Sequence, residues 1–168
     1  MSRFVAIMML AVLLVSSSIQ FAYATGSQPP TQEEILTCQQ SLAAETEQLT
    51  RKLHSLLGAC LKKIQSNIAY GIPAENAKPL CVKSITRFYA SKSNARFRMI
   101  RDCANVHPEL IGYPCDPEAY DHKDTARCLV ENSARVVQEL VGLEYPSACE
   151  MLNTVGMDQT YYHLCGQQ

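Results

Sequence analysis

Cys38 and Cys60 stand twenty-two residues apart at the two ends of what reads as one uninterrupted helix, and the same interval separates Cys81 from Cys103. Twenty-two residues make about six helical turns, so both cysteines of each pair face the same way along about 33 Å of helix. In two antiparallel helices of equal rise, residues that face each other have a constant sum of residue numbers. Cys38 with Cys103 and Cys60 with Cys81 share the value 141. The repeated interval therefore predicts a helical hairpin cross-linked by Cys38–Cys103 and Cys60–Cys81. The other four cysteines fit less closely. Cys128 with Cys149 gives 277 and Cys115 with Cys165 gives 280, a mismatch that irregular ends would have to absorb. Spacing alone leaves other connectivities open.

Cysteines become staples only in an oxidising compartment, and the first residues supply one. Arg3 is followed by the apolar run Phe4 to Val15, and "SSSIQFAYA" ends in the small-x-small pattern Ala22-Tyr23-Ala24. That order is a secretory signal peptide, residues 1–24, cleaved before Thr25. Twelve apolar residues fall short of the roughly twenty needed to span a bilayer, and no later segment is long and apolar enough for a transmembrane anchor. The remaining 144 residues are long enough to bury one core. All eight cysteines lie within them, an even count that implies four disulfides. Structural zinc sites need close pairs such as C-x₂-C, and none occurs, so no metal or other cofactor is expected.

Coarse helix signals run along the whole mature chain. Residues 25–32 read as a flexible leader, and 33–168 as a single disulfide-rich helical domain. Thr31 with Glu34 forms a capping box that opens the first helix. Its apolar stripe runs through Cys38, Leu42, Leu49, Leu53, Leu56, Cys60 and Ile64, widened by Leu57, Leu61 and Ile68. Gly71 and Pro73 end it near Tyr70. The second helix starts at about Pro79 and aligns Cys81, Ile85, Phe88, Ala95, Met99 and Cys103, with Tyr89 and Ile100 beside them. Lys92 falls on the same face, and the poor helix formers of "SKSN" predict a bend or fray there.

The stretch "NVHPELIGYPCDP" reads as a loop between two halves, and Asp116-Pro117 as the cap that opens a third helix between Pro117 and Asp124. Its apolar face is Cys128, Leu129, Val136, Val137, Leu140 and Val141, with Gly142 as its stop. Ser147 and Glu150 then suggest a second capping box for a helix carrying Cys149, Leu152 and Val155. Gly156 interrupts it, and "MDQTYYHLC" reads as a last helix. No stretch alternates with the period of a strand. The expected fold is all-α: a small bundle of four to five helices built from two disulfide-stapled antiparallel hairpins.

Charge is segregated along this scaffold. Residues 25–50 carry four acids and no base, 51–101 carry eleven bases against the single acid Glu75, and 102–168 carry three bases against eleven acids. The basic block places Lys78, Lys83, Arg87, Lys92, Arg96, Arg98 and Arg101 on or beside the second helix, interleaved with Phe88, Tyr89 and Phe97. A surface of that kind attracts heparin-like glycans, anionic lipid head groups or an acidic receptor. Neutralisation by the acidic segments inside the fold is the competing reading. The dibasic pairs Arg51-Lys52 and Lys62-Lys63 fall inside a helix, so they read as solvated lysines and arginines and not as processing sites.

Catalytic patterns are missing. There is no G-x-S-x-G elbow, no H-E-x-x-H and no G-x-x-x-x-G-K-[ST] loop. "YDHKDTARC" is similar to the His-Asp region of secreted phospholipases only in composition, because the adjacent cysteines that precede the pair in that family are lacking. Asp121, His122 and Asp124 there suit a helix start. Disulfide pairing leaves no thiolate for nucleophilic chemistry.

The sequence thus leads to a secreted, non-enzymatic binding protein whose recognition face is Lys83, Arg87, Lys92, Arg96, Arg98 and Arg101. Its partner would be an extracellular macromolecule and not a nucleic acid. The alternative is a carrier that holds a small apolar ligand among Ile85, Phe88, Met99 and the first-helix leucines.

Overall fold

A computed structural model describes residues 29–111, 121–158 and Cys165. The signal peptide, the first half of the leader, Cys115, the Asp116-Pro117 cap and most of the last expected helix lie outside them. Helix α1 (Gln32–Ala69) begins where the sequence predicts. Glu34 N–H donates to Thr31 Oγ1, and the Glu34 carboxylate accepts from Thr31 N–H at 2.7 Å, which closes the capping box. A 3₁₀ turn (Ala74–Ala77) connects it to α2 (Lys78–Asp102). The one-turn helix α3 (Pro108–Ile111) falls in the expected loop, and α4 (His122–Glu144) and α5 (Ala148–Thr154) follow. The described residues contain no strand, and the molecule is an all-α, disulfide-stapled bundle.

Both bridges of the first hairpin are present: Cys38–Cys103, with 4.9 Å between Cα atoms, and Cys60–Cys81, with 4.7 Å. They stand at opposite ends of the α1–α2 contact, and the buried residues Leu42, Leu49, Leu53, Leu57, Ile64, Phe88, Ala95 and Met99 fill the space between them. Helix α4 packs against both α1 and α2, and α5 closes the end near the 3₁₀ turn.

The second pair of bridges is not the expected one. Cys149 is joined to Cys165, so neither Cys128–Cys149 nor Cys115–Cys165 forms; Cys128 is also disulfide-bonded. The reason is geometric. Residues that face each other across a hairpin are equidistant from its turn, and Cys38/Cys103 and Cys60/Cys81 are both centred between Tyr70 and Gly71, where the chain does turn. Cys128 and Cys149 are centred between Gln138 and Glu139, in the middle of α4, where it does not. Helix α5 is also only seven residues long, too short to run back beside α4.

Smaller differences have local causes. The α2 helix passes through "SKSN" without interruption because Ser91 is buried and its hydroxyl donates to Arg87 O at 2.6 Å, while Lys92 reaches out to α4. Gly142 does not stop α4, which runs on to Glu144. Its buried face passes through Val130, Ala134, Val137 and Val141 and leaves Val136 and Leu140 exposed. Ser147 precedes α5 without a side-chain cap hydrogen bond. Tyr89 and Ile68, expected at the edge of the core, are exposed. Ile68 lies in the last turn of α1, at the end of the hairpin.

Candidate binding surface

The six cations expected to form one face on α2 have different fates. Arg98 donates from Nε and Nη2 to the two carboxylate oxygens of Glu45 on α1, each at 2.6 Å, and this contact raises its pKa further. Arg101 donates from Nε to Asp102 Oδ1 at 2.7 Å, and Ser41 of α1 donates its hydroxyl to Asp102 Oδ2 at 2.6 Å. Those two hydrogen bonds, the arginine's first, hold the Asp102 carboxyl below the ordinary carboxylate range. Lys92 extends from the apolar flank of α2 to Glu131 of α4 at 2.6 Å, with its side chain only 17 % exposed. Three cations are thus consumed in tying α2 to its neighbours and its own end, as the neutralising acidic segments allow.

Lys83, Arg87 and Arg96 are exposed and take part in no ion pair among the described residues. They do not share one face. Nine residues separate Arg87 from Arg96, about half a turn in net rotation. Arg96 therefore stands on the opposite flank of α2, close to the strip from which Lys92 reaches α4. Lys83 and Arg87 are one turn apart, and Arg98 follows Arg87 by eleven residues, about three full turns. These two cations accordingly lie along the flank that Arg98 directs toward α1.

The matching flank of α1 is marked by Glu45. Lys52 and Lys63 follow it by seven and eighteen residues, about two and five turns, and so fall in the same strip. Both are exposed and without an ion-pair partner among the described residues. One side of the α1–α2 seam therefore carries Lys52, Lys63, Lys83 and Arg87, with the Glu45–Arg98 pair at one end. In the sequence Lys52 and Lys63 stand out only as members of solvated dibasic pairs. The signal that would have found them is the cysteine register, which aligns α1 against α2 and lets residues be assigned to a side of the seam.

Other expected sites resolve into structure. Asp121 caps α4 by accepting from Lys123 N and Asp124 N at 2.8 and 2.9 Å, and these backbone donors, that of Asp124 first, lower its pKa. Among the described residues no cluster of His, Cys, Asp and Glu suits a metal, and no cysteine is free. Phe88 and Met99 are buried in the main core and Ile85 packs partly buried against it. A cleft whose lining mixes the polar Thr31, Glu34, Arg101 and Asp102 with the apolar Ala104 and Val106 opens where α1 begins. No protein-family model, curated protein or solved structure shows a significant match to the chain.

Proposed function

We propose that this protein is exported and acts without catalysis, by binding an anionic macromolecular partner through the cationic side of the α1–α2 seam. The observation that carries this reading is the contrast within one charge block. Arg98, Arg101 and Lys92 are neutralised by Glu45, Asp102 and Glu131, whereas Lys83 and Arg87, with Lys52 and Lys63 opposite, form no ion pair among the described residues. Unpaired like charges on a disulfide-braced surface repel one another, and a partner of opposite charge relieves that repulsion and is steered toward it. The three bridges between described residues, with Cys128 also disulfide-bonded, support an oxidising compartment.

The test is retention on immobilised heparin, used as a defined polyanion. Wild-type protein should be retained at low salt, and Lys83→Glu/Arg87→Glu should flow through with its helical circular dichroism unchanged. Retention of the variant equal to wild type would contradict the proposal.

A further inference from the structure

The cap of α1 displays apolar side chains that its backbone geometry does not require to be exposed. Helix α1 ends with Gly71 at φ 64°, Gly71 N–H donating to Ile68 O and Ile72 N–H donating to Asn67 O at 2.8 Å. Helix α5 ends in the same way, with Gly156 at φ 69° and Met157 N–H donating to Leu152 O at 2.9 Å. In such caps the residue after the glycine commonly packs on the helical residue whose carbonyl it binds. Met157 follows the rule: it is 5 % exposed, and Leu152 is fully buried. In α1 the corresponding shelf is Asn67, which is buried and donates from Nδ2 to Pro73 O at 3.3 Å. Ile72 has no apolar shelf there and is 42 % exposed.

Ile72 is not isolated. Ile68 precedes it, Leu80 stands in the first turn of α2, and Tyr70 between them is 79 % exposed. Turns usually place polar residues in such positions. The Cys60–Cys81 bridge ties the two helices immediately behind this turn, and the Asn67 hydrogen bond fixes its path, so the apolar side chains are held out on a braced support.

Cations flank them along the chain. Between residues 62 and 83 the chain carries Lys62, Lys63, Lys78 and Lys83 against the single acid Glu75, and all four lysines are exposed. A sulfated glycan would engage the lysines but has no use for isoleucine and tyrosine. Aliphatic and aromatic side chains with basic residues around them fit a lipid surface that is apolar below and negative at its head groups.

We propose that the α1–α2 turn is an insertion element for anionic lipid bilayers, with Ile68, Tyr70, Ile72 and Leu80 entering the interface and the lysines contacting acidic head groups. This rests on the reading that the neighbouring cations meet an anionic partner. It makes that partner a membrane surface, met at the turn end of the hairpin, toward which Lys63 and Lys83 of the cationic side lie, whereas Lys52 and Arg87 stand farther back along the helices.

The experiment uses the full mature, disulfide-bonded protein with vesicles of phosphatidylcholine, vesicles of phosphatidylcholine mixed with phosphatidylserine, and immobilised heparin. The chain contains no tryptophan, so Tyr70→Trp places a single reporter in the turn. The proposal predicts a blue shift of its emission with the phosphatidylserine vesicles only. It also predicts that Tyr70→Ser/Ile72→Ser sediments with those vesicles about tenfold more weakly while its heparin retention is unchanged. Heparin retention without vesicle binding would overturn the insertion element and leave the anionic-partner reading standing. Vesicle binding that Tyr70→Ser/Ile72→Ser does not weaken would also overturn it. Binding to neither surface would overturn both.

Discussion

Arg98 and Glu45 join α2 to α1 through a two-pronged contact, with the arginine Nε and Nη2 each 2.6 Å from a different carboxylate oxygen. The Glu45 side chain is 15 % exposed against 38 % for Arg98, so the carboxylate is the partner that loses most if the contact is broken. Only a planar fork satisfies both oxygens at once. Arg98→Lys should therefore recover only part of the interaction, and Arg98→Ala should lower stability by about 1 kcal/mol, less at high salt. Urea unfolding with the disulfides intact measures both, and equal midpoints for Arg98→Lys and wild type would contradict the two-pronged role.

The two hairpin bridges close loops of very different length, with sequence separations of 65 for Cys38–Cys103 and 21 for Cys60–Cys81. Restricting the unfolded chain contributes more for the longer loop, about 4 kcal/mol against about 3 kcal/mol. Cys38→Ala/Cys103→Ala should therefore unfold at lower urea than Cys60→Ala/Cys81→Ala. The reverse order would mean that local support of the turn outweighs chain entropy.

Asp102 and Asp121 both have pKa values below the ordinary range in the folded protein. A lowered folded value means that the native state favours the ionised form. Their contribution is complete above the unfolded value, about 4, and is lost as pH falls through the folded values below it. Melting temperature measured between pH 6 and pH 2 should fall on the acid side, and the fall should be smaller in Asp102→Asn/Asp121→Asn, which carries no such carboxylates. An identical acid slope in that variant would contradict the assignment.

Lys92 sits on the apolar flank of α2 and reaches Glu131, whose side chain is 55 % exposed. A lysine stem already packed on apolar surface loses little when its charge is removed. Lys92→Met should change stability by less than about 1 kcal/mol and leave polyanion binding as it is. Loss of binding in Lys92→Met would place Lys92 in the recognition surface instead.

The first hairpin was legible because its two cysteine pairs share a centre and the chain carries a glycine and a proline at that centre. The same register implied the contacts across the seam. Glu45 faces Arg98 and Ser41 faces Asp102 at one common sum of residue numbers, close to that of the bridges. The second half was not legible by the same arithmetic, because the centre of Cys128 and Cys149 falls inside the apolar pattern of α4. Gly142 read as a stop, yet a helical glycine costs only about 1 kcal/mol, and buried Val141 and the Glu144–His54 contact at 3.0 Å hold the last turn in place. The cationic surface was half legible. Net charge by segment singled out α2, but only the packing of α1 against it distinguishes consumed from unpaired cations and brings Lys52 and Lys63 to the same side.

If the cations without ion-pair partners bind the anionic partner, the total positive charge of α2 does not decide its affinity. Lys83→Gln/Arg87→Gln and Arg98→Gln/Arg101→Gln remove the same charge from the same helix. The salt concentration at which each elutes from immobilised heparin, measured well below its melting temperature, separates the two explanations. Lys83→Gln/Arg87→Gln should show a large drop in eluting salt, and Arg98→Gln/Arg101→Gln should elute close to wild type. Equal drops in the two variants, or a larger drop for Arg98→Gln/Arg101→Gln, would contradict binding through the cations without ion-pair partners.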